Sequence, residues 1–321
     1  MTLETILPFL QPIAHLITDP GISEVMVNGD SSIFIQRDGR LSAVAAVLDP
    51  KYLANAVKRI ARSLGEDIGE SKPLLDTRLP DGSRVAAAFP PCSLQGVTLT
   101  IRKFRPRWFT MQQLVDAGML PSTLAGQLAT AVGNRQTILI AGGTDTGKTT
   151  FAKALIDFIP KSERLGVIED TAELQIDHPN VFRLEARKEQ RDPAGKVMAP
   201  AVTIRDLVKA TLRHRPDRLI IGEVRGGEAF DLLDALNTGH AGSLSTIHAN
   251  SALQALSRLG TLTLRADVDL PYKAIQGEIG DLIDLVIHIE RKDGHRCVSQ
   301  VLQLHGFDAD AGRYDTTMLS N

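Results

Sequence analysis

A chain of 321 residues with a hydrophobic fraction of 43% is long enough for two domains and apolar enough to bury a core in each. Its 36 basic and 38 acidic side chains nearly cancel, which excludes attraction to nucleic acid through net charge alone. Two cysteines exclude a disulfide framework, and no apolar run reaches the roughly 18 residues of a transmembrane helix. The N-terminus lacks the pattern of a signal peptide, so we expect a cytoplasmic protein.

The first part of the chain predicts a small α+β domain over residues 1–105. Residues 5–17 have helical apolar spacing, but Pro8 and Pro12 break it, so we expect a short or broken helix that packs on its own domain. An amphipathic helix is predicted over residues 50–64. Strands are predicted at 24–29, 33–39, 83–89 and 97–102.

We expect residues 106–123 to connect the two domains. The sequence at 105–108 is typical of a linker, and a connecting helix is predicted over 109–120. Residues 124–321 then alternate strands with helices, which predicts an α/β domain with a mainly parallel sheet and helices on both faces. The predicted strands are 137–141, 165–169 and 218–222, and the helices are 148–159 and 203–213. Thr203 and Asp206 predict a capping box. A C-terminal strand meander is predicted at 285–290, 298–305 and 314–319.

The most specific motif is the octet 142–149, which matches G-x-x-x-x-G-K-[ST] in full between a predicted strand and a predicted helix. Glycines let backbone N–H groups curl around a phosphate, and the helix N-terminus adds its dipole. Lys148 would reach the β- and γ-phosphate oxygens of ATP, and Thr149 would offer its hydroxyl to Mg²⁺. The residues expected to bind the nucleotide are Gly142, Gly143, Thr144, Asp145, Thr146, Gly147, Lys148, Thr149 and Thr150.

Acidic residues follow two predicted strands. Glu223 ends the apolar strand 219–223, where ligands bind in α/β folds. Glu169, Asp170 and Glu173 follow the strand 165–169. A carboxylate there can orient and deprotonate the attacking water, although Asp170 or Glu169 can equally cap a following helix.

Two histidines, His240 and His248, lie in the segment 239–250 among small hydroxyl residues. A histidine that follows the strand 219–223 can sense the γ-phosphate of a nucleotide. The alternative is an ordinary hydrogen-bonded side chain, and the spacing alone does not choose between them.

These four segments, in this order, resemble the secretion ATPase superfamily, which powers type II and type IV secretion, pilus assembly and conjugation. The stretch 215–229 is nearly diagnostic, and the chain is most similar to the conjugal-transfer members. The resemblance implies a RecA-like domain, a homohexameric ring on the cytoplasmic side of an inner-membrane secretion channel, and contacts with that channel's components.

The resemblance also assigns roles to single residues. It implies that Glu173 activates water, that Glu223 lies on the magnesium side with Thr149, and that His248 is the sensor. It further implies that Arg84 and Arg102 bring positive charge from the N-terminal domain to the phosphates.

Position 145 departs from the family pattern, which has glycine or a small residue there. Asp145 puts a negative charge inside a phosphate-binding loop. From Coulomb repulsion alone, we expect this carboxylate to weaken ATP binding slightly.

Several alternatives share these motifs. A pilus-assembly ATPase has the same ones, and a non-hydrolysing, nucleotide-gated scaffold would keep the P-loop without turnover. A helicase is disfavoured by the near-neutral charge and the absence of aromatic stripes, so no sequence-specific nucleic-acid binding is expected. The basic run 183–196 is interleaved with acids, which predicts a solvated loop.

Overall fold

The computed structural model describes residues 3–29, 32–37, 39–46, 48–79, 81–104, 109–187, 189–191 and 196–319. The chain divides into two compact units, Met1–Arg107 and Trp108–Asn321. The start of the predicted linker, 105–108, lies outside the described residues. Within the described ranges, every helix is too short or too polar to cross a membrane.

The first unit is a single antiparallel sheet with helical segments. Its helices are α1 (Leu3–Ile6), α2 (Ala14–Thr18) and α3 (Pro50–Ser63), with 3-10 turns at Leu7–Phe9 and Gln11–Ile13. Its strands are β1 (Ile22–Val27), β2 (Ile33–Arg37), β3 (Arg40–Val44), β4 (Leu74–Arg78), β5 (Arg84–Ala88) and β6 (Thr98–Arg102). The strand order is β3-β2-β1-β6-β5-β4, and every pairing in it is antiparallel. The sequence did not predict β3 or β4.

The N-terminal segment is broken as its prolines predict. Pro8 and Pro12 each lie at the second position of a 3-10 turn, where a missing N–H costs least. Ile6, Leu10 and Ile13 are fully buried in the core of the first unit. The apolar side of this segment is therefore covered by its own domain, as the sequence predicts.

The second unit holds the remaining elements. Its helices are α4 (Met111–Asp116), α5 (Ser122–Gly133), α6 (Lys148–Ile156), α7 (Ile204–Leu212), α8 (Glu228–Asn237), α9 (Ala252–Thr263) and α10 (Tyr272–Leu282), with a 3-10 turn at Leu264–Ala266. Its strands are β7 (Ile138–Gly142), β8 (Leu165–Glu169), β9 (Val181–Glu185), β10 (Gln190–Arg191), β11 (Val197–Ala199), β12 (Arg218–Val224), β13 (Leu244–Ile247), β14 (Leu285–Lys292), β15 (His295–Asp308) and β16 (Arg313–Met318). The capping box of Thr203 and Asp206 at the start of α7 is confirmed.

Among the described residues, the main sheet has eight strands in the order β16-β15-β14-β7-β13-β12-β8-β9. The six strands from β14 to β9 run parallel, and the antiparallel β15 and β16 continue the sheet beyond β14. Two apolar clusters cover its faces, one built with α4, α5 and α6 and the other with α7, α8, α9 and α10. Because parallel strands end at the same edge, the loops after β7, β8, β12 and β13 meet there.

The strand β13 lies between β7 and β12 and was not predicted. It has four buried residues, Leu244–Ile247, so no apolar–polar alternation marks it as a strand. Its position matters, because its register pairs Ile247 with Ala141 of β7 and with Val224 of β12. It therefore carries the following residue, His248, to the edge where β7 and β12 end.

Candidate active site

The loop between β7 and α6 has the local geometry of a phosphate-binding turn. Gly147 is left-handed, with φ 95°, and is the N-cap of α6. A Cβ on Gly142 would collide with the carbonyl oxygen of Ile289 on the neighbouring strand β14. The hydroxyl of Thr146 donates to the carbonyl oxygen of Gly143 at 3.0 Å, which fixes the turn internally. Gly147 is thus required by its backbone conformation, and Gly142 by the close approach of β14.

The side chain of Lys148 folds back over this loop. Its Nζ donates to the carbonyl oxygens of Gly142 and Gly143, at 3.1 and 2.7 Å. The residue is 7% exposed, and burial lowers the pKa of its ammonium although the charge of Glu223 raises it. The ammonium therefore lies at the start of the loop and is hydrogen-bonded to two backbone carbonyl groups. In a nucleotide complex, phosphate oxygens would take the place of these carbonyls as its partners.

Glu223 and His248 extend the site from Lys148 along the edge of the sheet. His248 Nε2 lies 3.0 Å from Glu223 Oε1 and 3.5 Å from Lys148 Nζ. Burial and the charge of Lys148 lower the pKa of His248, so the imidazole is neutral at pH 7. A carboxylate only accepts hydrogen bonds, so the ring proton is assigned to Nε2, which donates to Glu223.

Arg225 joins the two acidic segments and was missed in the sequence. Its guanidinium donates to Glu223 Oε2 at 2.7 Å and lies 3.6 Å from Asp170 Oδ2. Burial acts to raise the pKa of Glu223, but the hydrogen bond from Arg225 and the positive charges of Arg225 and Lys148 together lower it. Glu223 is therefore ionised at neutral pH.

The loop that carries Arg225 is itself held by a buried acid. Glu228, at the start of α8, accepts the backbone N–H groups of Arg225 and Gly226 at 2.6 and 2.8 Å. Both contacts are local, since they span three and two residues. In the sequence, the only indication of these contacts was that the acidic Glu228 closely follows the strand that ends near Glu223.

In the acidic segment after β8, the structure separates the three carboxylates. Glu169 is 3% exposed, and its Oε1 accepts the backbone N–H groups of Glu173 and Leu174, both at 2.8 Å. Burial raises its pKa against those hydrogen bonds. Glu173 and Asp170 are exposed. Of the two predicted roles for Glu169, the structural one therefore applies. Its carboxylate accepts backbone N–H groups of a loop, however, and does not cap a helix.

Arg183 supports the same carboxylate, which corrects the interpretation of the basic run 183–196. Arg183 lies in β9, and its Nη2 is 3.3 Å from Glu169 Oε2. A solvated loop is the wrong description for this residue, because β9 is the edge strand next to β8. Lys188 and 192–195 lie outside the described residues.

Thr149, Thr150 and His240 are three further residues that the sequence singled out. Thr149 and Thr150 occupy the first turn of α6, directly after Lys148. His240 donates from Nδ1 to the carbonyl oxygen of Ala235 at the end of α8, at 2.9 Å. It precedes β13, whereas His248 follows it, so the two histidines lie at opposite edges of the sheet. Only His248 reaches Lys148.

Asp145 does not stand alone in the loop. Its carboxylate accepts from Arg296 Nη2 at 2.9 Å and lies 4.0 Å from Arg291 Nη1. The sequence-based expectation of repulsion left out these two arginines, which lie far along the chain on β14 and β15. The negative charge is compensated within the second unit.

Arg84 and Arg102 lie in the first unit as direct cross-strand neighbours on β5 and β6. Arg78 of β4 is opposite Arg84, so three arginines form one row across the sheet. Like charges directly opposite each other are unfavourable in a sheet, but Glu24 of β1 is opposite Arg102 on its other side and adds a negative charge to the row. Arg78 was missed because the strand β4 was not predicted. The role of Arg84 and Arg102 at the phosphates stays a prediction.

Comparisons with known proteins agree with these features. A family model described as "Type II/IV secretion system protein" matches residues 9–315. The conjugal transfer protein TrbB of Rhizobium radiobacter is 34% identical over 90% of this chain and 85% of its own length. The type IV secretion system protein VirB11 of Brucella suis is 33% identical over 87% of this chain and 84% of its own. The solved structure of the ATPase DotB of Legionella pneumophila has the same fold, with a TM-score of 0.61 at 20% identity, over 92% of this chain and 79% of that one.

Proposed function

The chain belongs to the type II/IV secretion system protein family, and we propose that it hydrolyses Mg·ATP to power a type IV secretion or conjugative transfer apparatus. The observation that carries this proposal is that Lys148 Nζ and Glu223 Oε1 lie 3.5 and 3.0 Å from His248 Nε2 at the edge of the sheet. A lysine at the β- and γ-phosphates, an acid on the magnesium side and a residue that positions the attacking water recur in enzymes that transfer a phosphoryl group to water.

The P-loop supplies the nucleotide site. Backbone N–H groups of 143–147 and the N-terminus of α6 bind the phosphates, and Lys148 exchanges the carbonyls of Gly142 and Gly143 for phosphate oxygens. The Thr149 hydroxyl and the Glu223 carboxylate are hard oxygen donors, so this pair fits Mg²⁺, which binds few protein ligands beside the phosphates. Mg²⁺ held there by Thr149 and Glu223 would neutralise charge that develops on the phosphates.

Glu173 is the general base in this proposal. It is exposed to solvent, where a water can reach it, and its backbone is held by the buried Glu169. Its charge also acts to raise the pKa of Arg225, which places it in the field of that guanidinium. The neutral His248 donates from Nε2 to Glu223 and lies beside the Lys148 ammonium, where it senses a change in the position of that ammonium when the γ-phosphate is bound or lost.

Membership of the family supports the proposed assembly. The second unit is a RecA-like domain, and the chain acts as a homohexameric ring at the cytoplasmic side of the inner membrane, docked on secretion-channel components. Arg84 and Arg102 bring positive charge to the phosphates. No sequence-specific nucleic-acid contact is required.

A phosphate-release assay at saturating Mg·ATP tests the enzyme, and mass measurement by light scattering tests the ring. Steady turnover that Lys148→Ala abolishes supports the ATPase. Tight nucleotide binding without phosphate release would instead establish a nucleotide-gated scaffold. A monomer at all nucleotide concentrations would refute the ring but not the chemistry.

A further inference from the structure

Two arginines meet the P-loop from the turn between β14 and β15. Arg291 and Arg296 are directly opposite each other in the register of this hairpin. Like charges at such a position repel each other, which destabilises the pair. Here the carboxylate of Asp145 lies by both guanidinium groups, at 2.9 Å from Arg296 and 4.0 Å from Arg291.

Arg296 contacts the loop at more than one point. Its Nε donates to the carbonyl oxygen of Asp145 at 3.0 Å, while its Nη2 donates to the carboxylate. Its aliphatic stem passes beside Gly147, where an added Cβ would lie 3.3 Å from the arginine Cδ. One side chain thus binds the middle of the P-loop and covers its last glycine.

The backbone of Asp145 needs such support. It is left-handed, with φ 59°, a conformation that costs energy for any residue with a Cβ, although less for aspartate than for most. Asp145 lies within a P-loop, whose backbone N–H groups cradle phosphates. A contact that fixes this conformation before binding lowers the entropy that the nucleotide must remove.

We propose that Arg296 is a positioning residue for the P-loop, which acts through Asp145 to hold the loop ready for a triphosphate. This inference rests on the proposed nucleotide-binding function. It also reverses the expectation from sequence, because an isolated carboxylate would repel phosphate whereas the group of Asp145, Arg291 and Arg296 carries one net positive charge.

The effect belongs to binding more than to chemistry. Loop N–H groups bind the β-phosphate in the ground state and the transition state alike, so loss of their order raises KM and leaves kcat nearly unchanged. Arg296 and Asp145 are 47% and 43% exposed, so a modest and salt-sensitive effect is expected.

The test compares single variants in the full chain. Arg296→Ala should raise the KM for ATP by about three- to tenfold, with kcat within about twofold. Arg296→Lys should restore less than half of the loss, because an ammonium cannot reproduce the two directed contacts. Lys292→Ala, which removes one positive charge from the same hairpin, is the matched control and should leave KM unchanged.

A double-mutant cycle shows whether Arg296 acts through Asp145. Asp145→Gly alone should raise KM by about two- to fivefold, because glycine adds freedom that binding must remove. In that background Arg296→Ala should add less than about twofold. An undiminished effect of Arg296→Ala there, or tighter ATP binding by Asp145→Gly, would overturn the proposal.

Hydrogen exchange separates failure of this proposal from failure of the proposed function. The amides of 143–147 should exchange faster in Arg296→Ala than in the wild type or Lys292→Ala, with no nucleotide present. If the wild type binds no ATP, the proposed function fails and exchange alone decides the positioning role. Unchanged exchange would refute that role.

Discussion

His248 Nε2 and Glu223 Oε1 lie 3.0 Å apart, so the residue after β13 is hydrogen-bonded to the carboxylate of β12. No local sequence pattern predicts that these two residues meet, because the pairing depends on the parallel register of β12 and β13. Because His248 contacts Glu223, the pKa of His248 depends on the charges of the site and can be measured to test them.

The first prediction concerns that titration. Burial and Lys148 lower the pKa of His248, whereas the Glu223 carboxylate raises it. Glu223→Gln should therefore lower the pKa further, and Lys148→Ala should move it up towards the ordinary value of about 6.5. Histidine-selective NMR across pH 4 to 8 measures both shifts. The same pKa in all three proteins would show that His248 does not contact this network.

The second prediction is that Lys148→Ala abolishes hydrolysis without destabilising the fold. The ammonium is the part of the residue proposed to reach the phosphates. Its burial lowers its pKa, so removing it relieves a desolvation cost that offsets the loss of its hydrogen bonds to Gly142 and Gly143. Phosphate release and the melting temperature are measured together. Lys153→Ala, on the same helix and paired with Asp157, is the matched control and should stay active. Turnover by Lys148→Ala within twofold of wild type would refute the site.

The third prediction separates two acids of one segment. Glu173→Gln should slow turnover by roughly 10²- to 10⁴-fold and keep nucleotide binding, as expected for loss of a general base. Its melting temperature should not change, because Glu173 is exposed.

Glu169→Ala should behave differently. It leaves the N–H groups of Glu173 and Leu174 without their acceptor, which costs about 1–3 kcal/mol of unfolding free energy for a buried donor. Glu169→Gln keeps an acceptor oxygen. It should therefore slow turnover less than Glu173→Gln does, and lower the free energy of unfolding less than Glu169→Ala does. Asp177→Asn, exposed on the same segment, controls for charge. A dead Glu169→Gln beside an active Glu173→Gln would reassign the base.

The fourth prediction follows from Arg225. This guanidinium lowers the pKa of Glu223, so in Arg225→Ala the pKa of Glu223 should rise. Activity that needs the ionised carboxylate is then lost at a higher pH as the solution is acidified. The acidic limb of the kcat/KM profile should move to higher pH, whereas Arg258→Ala, exposed on α9, should leave it in place. An unmoved limb would show that Glu223 ionisation does not limit the reaction.

The fifth prediction tests the N-terminal unit. Arg84→Ala and Arg102→Ala should each lower turnover, because their positive charge is proposed to reach the phosphates. Arg40→Ala, exposed on the edge strand β3, removes the same charge and should have no effect. Turnover by a fragment of residues 109–321 equal to that of the full chain would refute a catalytic role for the first unit.

Local signals predicted much of this protein. The strand–turn–helix of the P-loop was predicted because glycine positions and helical spacing are properties of neighbouring residues. The capping box of α7 and the proline-broken N-terminal segment were predicted for the same reason. Glu223, by contrast, was expected at a strand end but lies inside β12, which extends to Val224.

The sequence by itself determined the motif, the chemistry of its side chains and the family. The tertiary structure decided which side chains meet: Arg183 with Glu169, Arg225 with two acids, and Arg296 with Asp145, its partner 151 residues earlier. An arginine on an exposed hairpin has the same local pattern whether it faces solvent or a phosphate-binding loop. Only the register of β14 beside β7 puts the hairpin against that loop, because a pairing between distant strands depends on the packing of the whole sheet and not on adjacent residues.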